Sequence, residues 1–303
     1  MGGPAHLFLP PDLAPARIRA RLGIVSDTHM PERLSALPPA LFTVLAGCDL
    51  LLHAGDVGEL WVLDRLSAIA PVIAVHGNDD TADAQRELPY QQLLTIAGQR
   101  LFLYHSHYPA LEEERAARLD DSWAPKLARV AARGQEAGAS VVVFGHMHVP
   151  LAVRQAGVLL VNPGALASGG AVMRQRKQTV ALLYLRDDGA PLVTHVDLAN
   201  PLVPFSPLID WSQGFRAAHR EYGESILAPQ LQARYDDLLV PVVPLAPREI
   251  RAAVLRVAHR CWAGQAEVIT LADLQAEVAA DQLLPAEVKA RIANALRDMF
   301  SAA

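Results

Sequence analysis

Cysteine is nearly missing. The 303 residues hold two, Cys48 and Cys261, which is too few for a disulfide framework or a thiolate metal cage. That scarcity fits a reducing, cytoplasmic setting. An excess of one charge is lacking too: 27 Lys plus Arg stand against 32 Asp plus Glu, a formal net charge of -5. A protein that held nucleic acid by neutralising phosphates would show a basic surplus. No apolar stretch reaches the length of a membrane span. The opening residues, MGGPAHLFLPPDLAPARIRA, have neither the basic start nor the apolar run of a secretory signal. Aromatic residues make up only 6%, yet 51% of the chain is hydrophobic and 19% charged. That is enough apolar material for a core and too much for a wholly disordered chain. The expected partner is a small molecule rather than nucleic acid or membrane.

Histidine is what the sequence has in concentration. Seven of the 11 lie between residues 29 and 148: His29, His53, His76, His105, His107, His146 and His148. Histidine is the commonest metal ligand and acid–base side chain. Around these residues, short β-branched or leucine-rich runs alternate with helical stretches. The runs are 22–26, 50–53, 72–75, 93–96, 101–104, 141–144, 158–161, 180–185 and 192–196. Residues 40–46, 59–68 and 124–137 read as helices. This pattern predicts an α/β domain whose sheets are covered by helices. The strands stop near Ala199, where Pro201, Pro204 and Pro207 punctuate a linker. Beyond it, 210–236 reads as helical. So does 248–262, where Ile250, Val254, Val257, Ala258 and Cys261 form an apolar stripe. Thr270 with Asp273 caps a further helix and Leu284-Pro285 starts the last. The expected organisation is an N-terminal extension at 1–19, a catalytic domain at 20–200 and an all-α module at 201–303.

The chemistry lies at the ends of the early strands. They finish in Ser26-Asp27-Thr28-His29, His53-Ala54-Gly55-Asp56, His76-Gly77-Asn78-Asp79-Asp80, Tyr104-His105-Ser106-His107 and Phe144-Gly145-His146-Met147-His148. Ligands of open α/β sheets gather beyond the carboxyl ends of strands. In an extended segment alternate side chains point one way, so Asp27 with His29, and His146 with His148, can converge on a point. These oxygen and nitrogen donors, without sulfur, suit divalent manganese, iron or zinc. Glycines before Asp56, Asn78 and His146 fit tight turns where backbone approaches an ion.

The ordered blocks D-x-H, G-D, G-N, a lone H and G-H-x-H resemble the calcineurin-like metallophosphoesterase superfamily over about 20–200. Asn162-Pro163-Gly164 is similar to the N-P-G turn of its small bacterial and archaeal phosphodiesterases. The resemblance implies two facing mixed β-sheets flanked by helices, a four-layer αββα sandwich. It implies that Asp27, His29 and His148 hold one divalent metal, that Asn78, His105 and His146 hold a second, and that Asp56 bridges both. Mn, Fe, Zn or Ni are the candidate ions. It further implies hydrolysis of a small phosphoester by a metal-bridging hydroxide, with no covalent intermediate. Many members carry histidine where this chain has Asp79. A carboxylate beside cations makes a poor proton donor, so the departure points to the phosphodiesterase subgroup and leaves His107 as the candidate for assisting the leaving group.

Other residues have plainer expectations. His53 and His76 are expected to hold the ligand loops, and Asp79 and Asp80 to cap them. Arg174, Arg176 and Lys177 read as a solvated loop rather than a phosphate contact, Glu112–Glu114 as a solvated helix start, and His195, His219 and His259 as incidental. Two other functions remain open: a phosphomonoesterase acting on protein or nucleotides, and an interaction scaffold that uses the helical module. A retromer subunit with this fold acts as such a scaffold after losing several ligand histidines, whereas all seven ligand positions are filled here. The module's apolar stripes would serve a homo-oligomer interface or a lid.

Overall fold

The computed structural model describes residues 13–170, 172–233, 247–262 and 267–301. The chain forms two compact units, one of 1–169 with 175–223 and one of 170–174 with 224–303.

The first unit is built on two five-stranded mixed sheets. One runs β11 (Leu192–Asp197), β10 (Thr179–Arg186), β1 (Ile18–Val25), β2 (Leu50–His53), β3 (Val72–Ala74). The other runs β4 (Gln91–Ile96), β5 (Gln99–Tyr104), β6 (Val141–Phe144), β8 (Val158–Asn162), β7 (Leu151–Gln155). Strands β1, β2 and β3 are parallel neighbours, as are β5, β6 and β8. Their ligand-bearing ends therefore emerge on one side of each sheet.

Side-chain alternation divides the core into layers. Leu22, Ile24, Leu52 and Leu183 of one sheet meet Leu101, Leu103, Val143 and Val161 of the other in the middle layer. On the outer face of the first sheet, Val25, Leu51, Leu182 and Tyr184 pack under α1 (Pro39–Leu45) and α2 (Trp61–Ser67). Outside the second sheet, Phe102, Tyr104, Val142 and Phe144 pack under α5 (Trp123–Glu136). Both faces of each sheet are covered, which is why β6 and β8 are continuous apolar runs. Each fully buried side chain of this size contributes about 1.5–3 kcal/mol. The architecture is the four-layer arrangement implied by the strand-end motifs.

The structure differs from the sequence expectation in several places. β7 is half exposed and joins β8 through Ala156-Gly157, both at positive φ. Its weak apolar content hides a hairpin strand. Helices α3 (Ala82–Glu87) and α4 (Leu111–Leu119) also escape the apolar pattern. The stretch expected to be helical at 210–236 is broken. It holds α6 (Phe215–Tyr222), a strand β12 (Gly223–Ser225) that pairs with β9 (Met173–Gln175), and α7 (Pro229–Ala233); 234–236 lie outside the described residues. Residues 201–223 fold with the first unit, past the expected boundary at 200. The cause is aromatic packing: Trp123 of α5 meets Trp211 at 5.1 Å and Phe215 at 5.2 Å between ring centroids, and Tyr222 is buried in the same cluster.

In the second unit, α8 (Pro247–Trp262), α9 (Leu271–Ala280) and α10 (Ala286–Ser301) bury Val254, Val257, Cys261, Leu274, Val278, Ile292 and Leu296 together. Thr270 and Asp273 form the reciprocal cap that the sequence announces.

Candidate metal centre

Each block of the sequence lands on a strand end. The residue after β1 begins the loop that carries Asp27 and His29, while Asp56 follows β2 and Asn78 follows β3. His105 follows β5, and His146 with His148 follow β6. Backbone bonds stitch these loops together. Asp27 N–H donates to Gly55 O at 3.0 Å, His29 N–H to Asp56 O at 3.0 Å, and His146 N–H to Asp27 Oδ2 at 3.1 Å. The approach is too close for side chains at two glycines: a Cβ on Gly77 would collide with the Asp56 carboxylate, and one on Gly145 with Ser26 Oγ and Ala54 O.

The geometry gathers the donors in three overlapping groups. Asp27, His29 and His148 have ligand-type atoms all within 4.8 Å of one another, as do Asp56, His105 and His146, and His29, Asp56 and Asp79. Asp56 Oδ2 lies between the groups, 3.1 Å from His105 Nε2 and 3.6 Å from His29 Nε2. Asp27 Oδ1 is 3.1 Å from His148 Nε2 and 3.8 Å from His29 Nε2.

Asp27 Oδ1 and His105 Nε2 stand at ion-pair distance, 3.1 Å, from His148 and Asp56 respectively, without hydrogen-bond geometry. Asp27 Oδ1, His105 Nε2 and Asn78 Oδ1 are buried and have no hydrogen-bond partner among the described residues. Buried polar atoms are seldom left so, because an unmet donor or acceptor costs about 1–3 kcal/mol. A carboxylate, an imidazole and a carboxamide gathered with unmet atoms are what divalent cations take. The residues therefore fit a metal centre.

The charge states suit ligation except at His105, which must give up a proton before it can hold a cation. Burial favours the neutral form of Asp27 and Asp56, but nearby His148 and His105 outweigh it and hold both carboxyls below the usual range. Burial lowers His29 to about 4, so it is the neutral imidazole that can ligate. His105 is raised to about 10: burial opposes the charge, but Asp56 and Asp27 beside it win.

The backbone is strained at the same places. Asp27, His29, Asp56, His146 and His148 have φ between 44° and 70°. Non-glycine residues seldom adopt this region, and aspartate and histidine are among those that tolerate it best.

Supporting side chains hold the loops. Asp80 accepts from the N–H groups of Asp56 (3.1 Å), Gly58 (2.6 Å) and Gly77 (2.6 Å), joining the β2 and β3 loops. His53 Nε2 meets Thr28 Oγ1 at 3.1 Å. Asn162 donates to Gly145 O and accepts from Gly164 N–H, both at 2.9 Å, so the N-P-G turn braces the His146 loop. His195 Nε2 bonds the carbonyl of that same Asn162 at 2.8 Å.

Asp79 sits at the edge of the group. Its carboxylate accepts from Arg33 Nη2 and from Asn78 Nδ2, both at 2.8 Å, and its N–H donates to Asp56 Oδ1. His107 is placed differently. It lies beside His105, with ring centroids 5.5 Å apart, against Tyr90 and His76, and outside the cavity described below. Burial first, then His105, lowers it to about 4. The basic run stays on the surface: Arg174 pairs with Glu224 at 3.6 Å and Lys177 with Glu221.

Two functional features were not visible in the sequence. Of three successive glutamates, Glu112 and Glu113 are exposed, whereas Glu114 turns inward from α4 and accepts from His146 Nε2 at 2.9 Å, Tyr108 N–H at 3.0 Å and Arg118 Nε at 2.7 Å. The second feature is a cavity of about 250 Å³ that carries Asp56, Asn78, His146 and His148 on one wall and Phe215, Arg216 and His219 of α6 on another. The helical spacing of 215, 216 and 219 was the only trace of it.

Known proteins share parts of this sequence and fold. The profile of the calcineurin-like phosphoesterase superfamily domain matches residues 21–188. A probable metallophosphoesterase of Methanothermobacter thermautotrophicus is 34% identical over 145 residues, 48% of this chain and 76% of that one. Phosphodiesterase YfcE of Escherichia coli is 33% identical over 113 residues, 35% of this chain and 50% of that one. Vacuolar protein sorting 29 from Cryptosporidium parvum aligns with a TM-score of 0.45 at 18% identity, over 59% of this chain and 98% of that one. With more than half of its length matched, the chain belongs to the calcineurin-like phosphoesterase superfamily.

Proposed function

We propose that the chain is a hydrolase of phosphoesters, preferring phosphodiesters, that works with two divalent cations. The observation that carries this reading is Asp56: its Oδ2 stands between the His29 and His105 imidazoles and so belongs to both donor groups. Asp27, His29 and His148 would hold one ion, Asn78, His105 and His146 the other, and Asp56 both. Nitrogen and oxygen donors without sulfur suit Mn²⁺, Fe²⁺, Zn²⁺ or Ni²⁺. Such a pair supplies Lewis acidity to phosphoryl oxygens and a reactive water at neutral pH.

The chain's own residues fix the geometry for this. Glu114 engages His146 Nε2 and leaves Nδ1 as the atom free to ligate. Asp80 keeps Asp56 and Asn78 in register through the three backbone N–H groups it accepts. Arg33 holds the Asp79 carboxylate and reaches His29 Nε2 at 3.4 Å. With Asp79 so paired, and His107 neutral near pH 7, the site has no imidazolium at either expected position to protonate a poor leaving group. The name of the E. coli relative supports the preference for diesters.

The test is turnover of bis(p-nitrophenyl) phosphate and p-nitrophenyl phosphate after loading with each metal in turn. Diester turnover should exceed monoester turnover. Asp56→Asn should lower it by about 10³-fold or more, with the circular-dichroism spectrum unchanged. Inactivity with every metal would refute the reading. If a biological role survives Asp56→Asn while hydrolysis is lost, a scaffold function takes its place.

A further inference from the structure

The cavity beside Asp56 has a wall that the phosphoryl chemistry does not use. Lys126 and Arg129 of α5 and Arg216 of α6 line it. Each is anchored by neutral carbonyl oxygens. Lys126 Nζ donates to Ala117 O and Asp120 O, Arg129 Nη2 to Ser106 O, and Arg216 Nη2 to Arg118 O (3.2 Å) and Leu119 O (3.1 Å). Among the described residues none of the three has a carboxylate within the 4.0 Å of an ion pair.

The nearby acids are engaged elsewhere. Asp79 pairs with Arg33, and Glu114 with Arg118 and His146. Asp120 bonds Ser122, and Asp121 takes the backbone N–H of Arg216. A chain with a formal charge of -5 thus concentrates three cations without acidic partners in one small cavity. Asp56, Asp79 and Glu114 line the same cavity, so the positive field belongs to this wall alone. Carbonyl anchoring fixes the stems and leaves N–H donors for an anion, and guanidinium forks match phosphate oxygens. Lys126 and Arg129 lie within the matched span 21–188, and Arg216 lies beyond it.

We propose that the wall is a second anion subsite, which binds a phosphoryl group carried on one arm of the phosphodiester substrate. The inference rests on the phosphoesterase reading for the position of the ester. It adds the substrate class: a small diester bearing a further phosphate that is recognised and not cleaved. The volume of about 250 Å³ suits a short arm.

The experiment compares p-nitrophenyl thymidine 5′-phosphate with its 3′-phosphorylated counterpart, two compounds with the same leaving group, on the full chain loaded with Mn²⁺. The 3′-phosphate should raise kcat/KM by about tenfold, chiefly through KM. Arg216→Ala and Arg129→Gln should each erase most of that preference, and Arg216→Lys should keep it. Equal kcat/KM for the two compounds, or a preference that survives both variants, would overturn the subsite. Binding of both compounds to metal-free protein is read in parallel by fluorescence of Trp123 and Trp211, which pack on one another and on Phe215 through Trp123. Tighter binding of the 3′-phosphate, lost in Arg216→Ala, supports the subsite even if neither compound turns over, a result that would refute the hydrolase alone. Equal binding counts against the subsite whatever the turnover.

Discussion

In the first unit Ser26, Asp27, Thr28, His53 and His105 are fully withdrawn from solvent, and every buried polar or charged side chain among the described residues belongs to that unit. Among its described residues the second unit buries apolar side chains and Cys261. The buried atoms that lack a partner are likewise confined to the first unit. Apolar burial stabilises wherever it occurs, whereas a buried carboxylate or imidazole destabilises until something meets it. The contrast separates a part shaped by packing from a part whose packing serves polar groups awaiting a ligand.

Four measurements sharpen or break this contrast. The largest expected effect is in the second unit. Leu274→Ala should destabilise it by about 2–5 kcal/mol in thermal melts, while diester turnover by the first unit stays where it was. A parallel loss of turnover would mean that the units do not work separately. Next is Asp80→Ala, which removes the acceptor of three backbone N–H groups. Metal affinity by calorimetry should fall about 10–100-fold, and an unchanged affinity would deprive Asp80 of its bracing role.

The third is a pH effect on the first unit. Burial lowers His195 to about 4, below the value of about 6.5 in the unfolded chain. The unfolded state therefore binds more protons between these values, and stability falls as pH drops through that window. The His195 share of the loss from pH 7 to 5 should be on the order of 2 kcal/mol in denaturant titrations, and His195→Gln should remove that share. The smallest is Thr270→Ala, which removes the cap on α9 and should lower the second unit's stability by about 1 kcal/mol without touching metal binding.

Much of the site was legible because its residues follow strands within a few positions, so order along the chain reports position in space. That rule and period-two alternation marked the strand ends and the pairs Asp27 with His29 and His146 with His148, and the resemblance to the phosphoesterases supplied the ligand roles, including those of Asp56 and His105. The loop-holding roles of His53 and Asp80 were legible for the same reason. Glu114 was not, because its partner His146 is 32 residues away and nothing local distinguishes it from Glu112 or Glu113. Residues 201–223 were misplaced because prolines signal a linker, while the contacts of Trp211 and Phe215 with Trp123 are set by tertiary packing. The apolar stripe on α8 and the Thr270 cap were readable because helical periodicity and capping are local.

The left-handed backbone at Asp27 and Asp56 has an evolutionary corollary. Asparagine is as comfortable as aspartate in that conformation, and one nucleotide change converts the aspartate codon into it. The loops can thus lose their anionic character without any refolding. An anionic loop and a neutral one are a single short mutational step apart, in either direction.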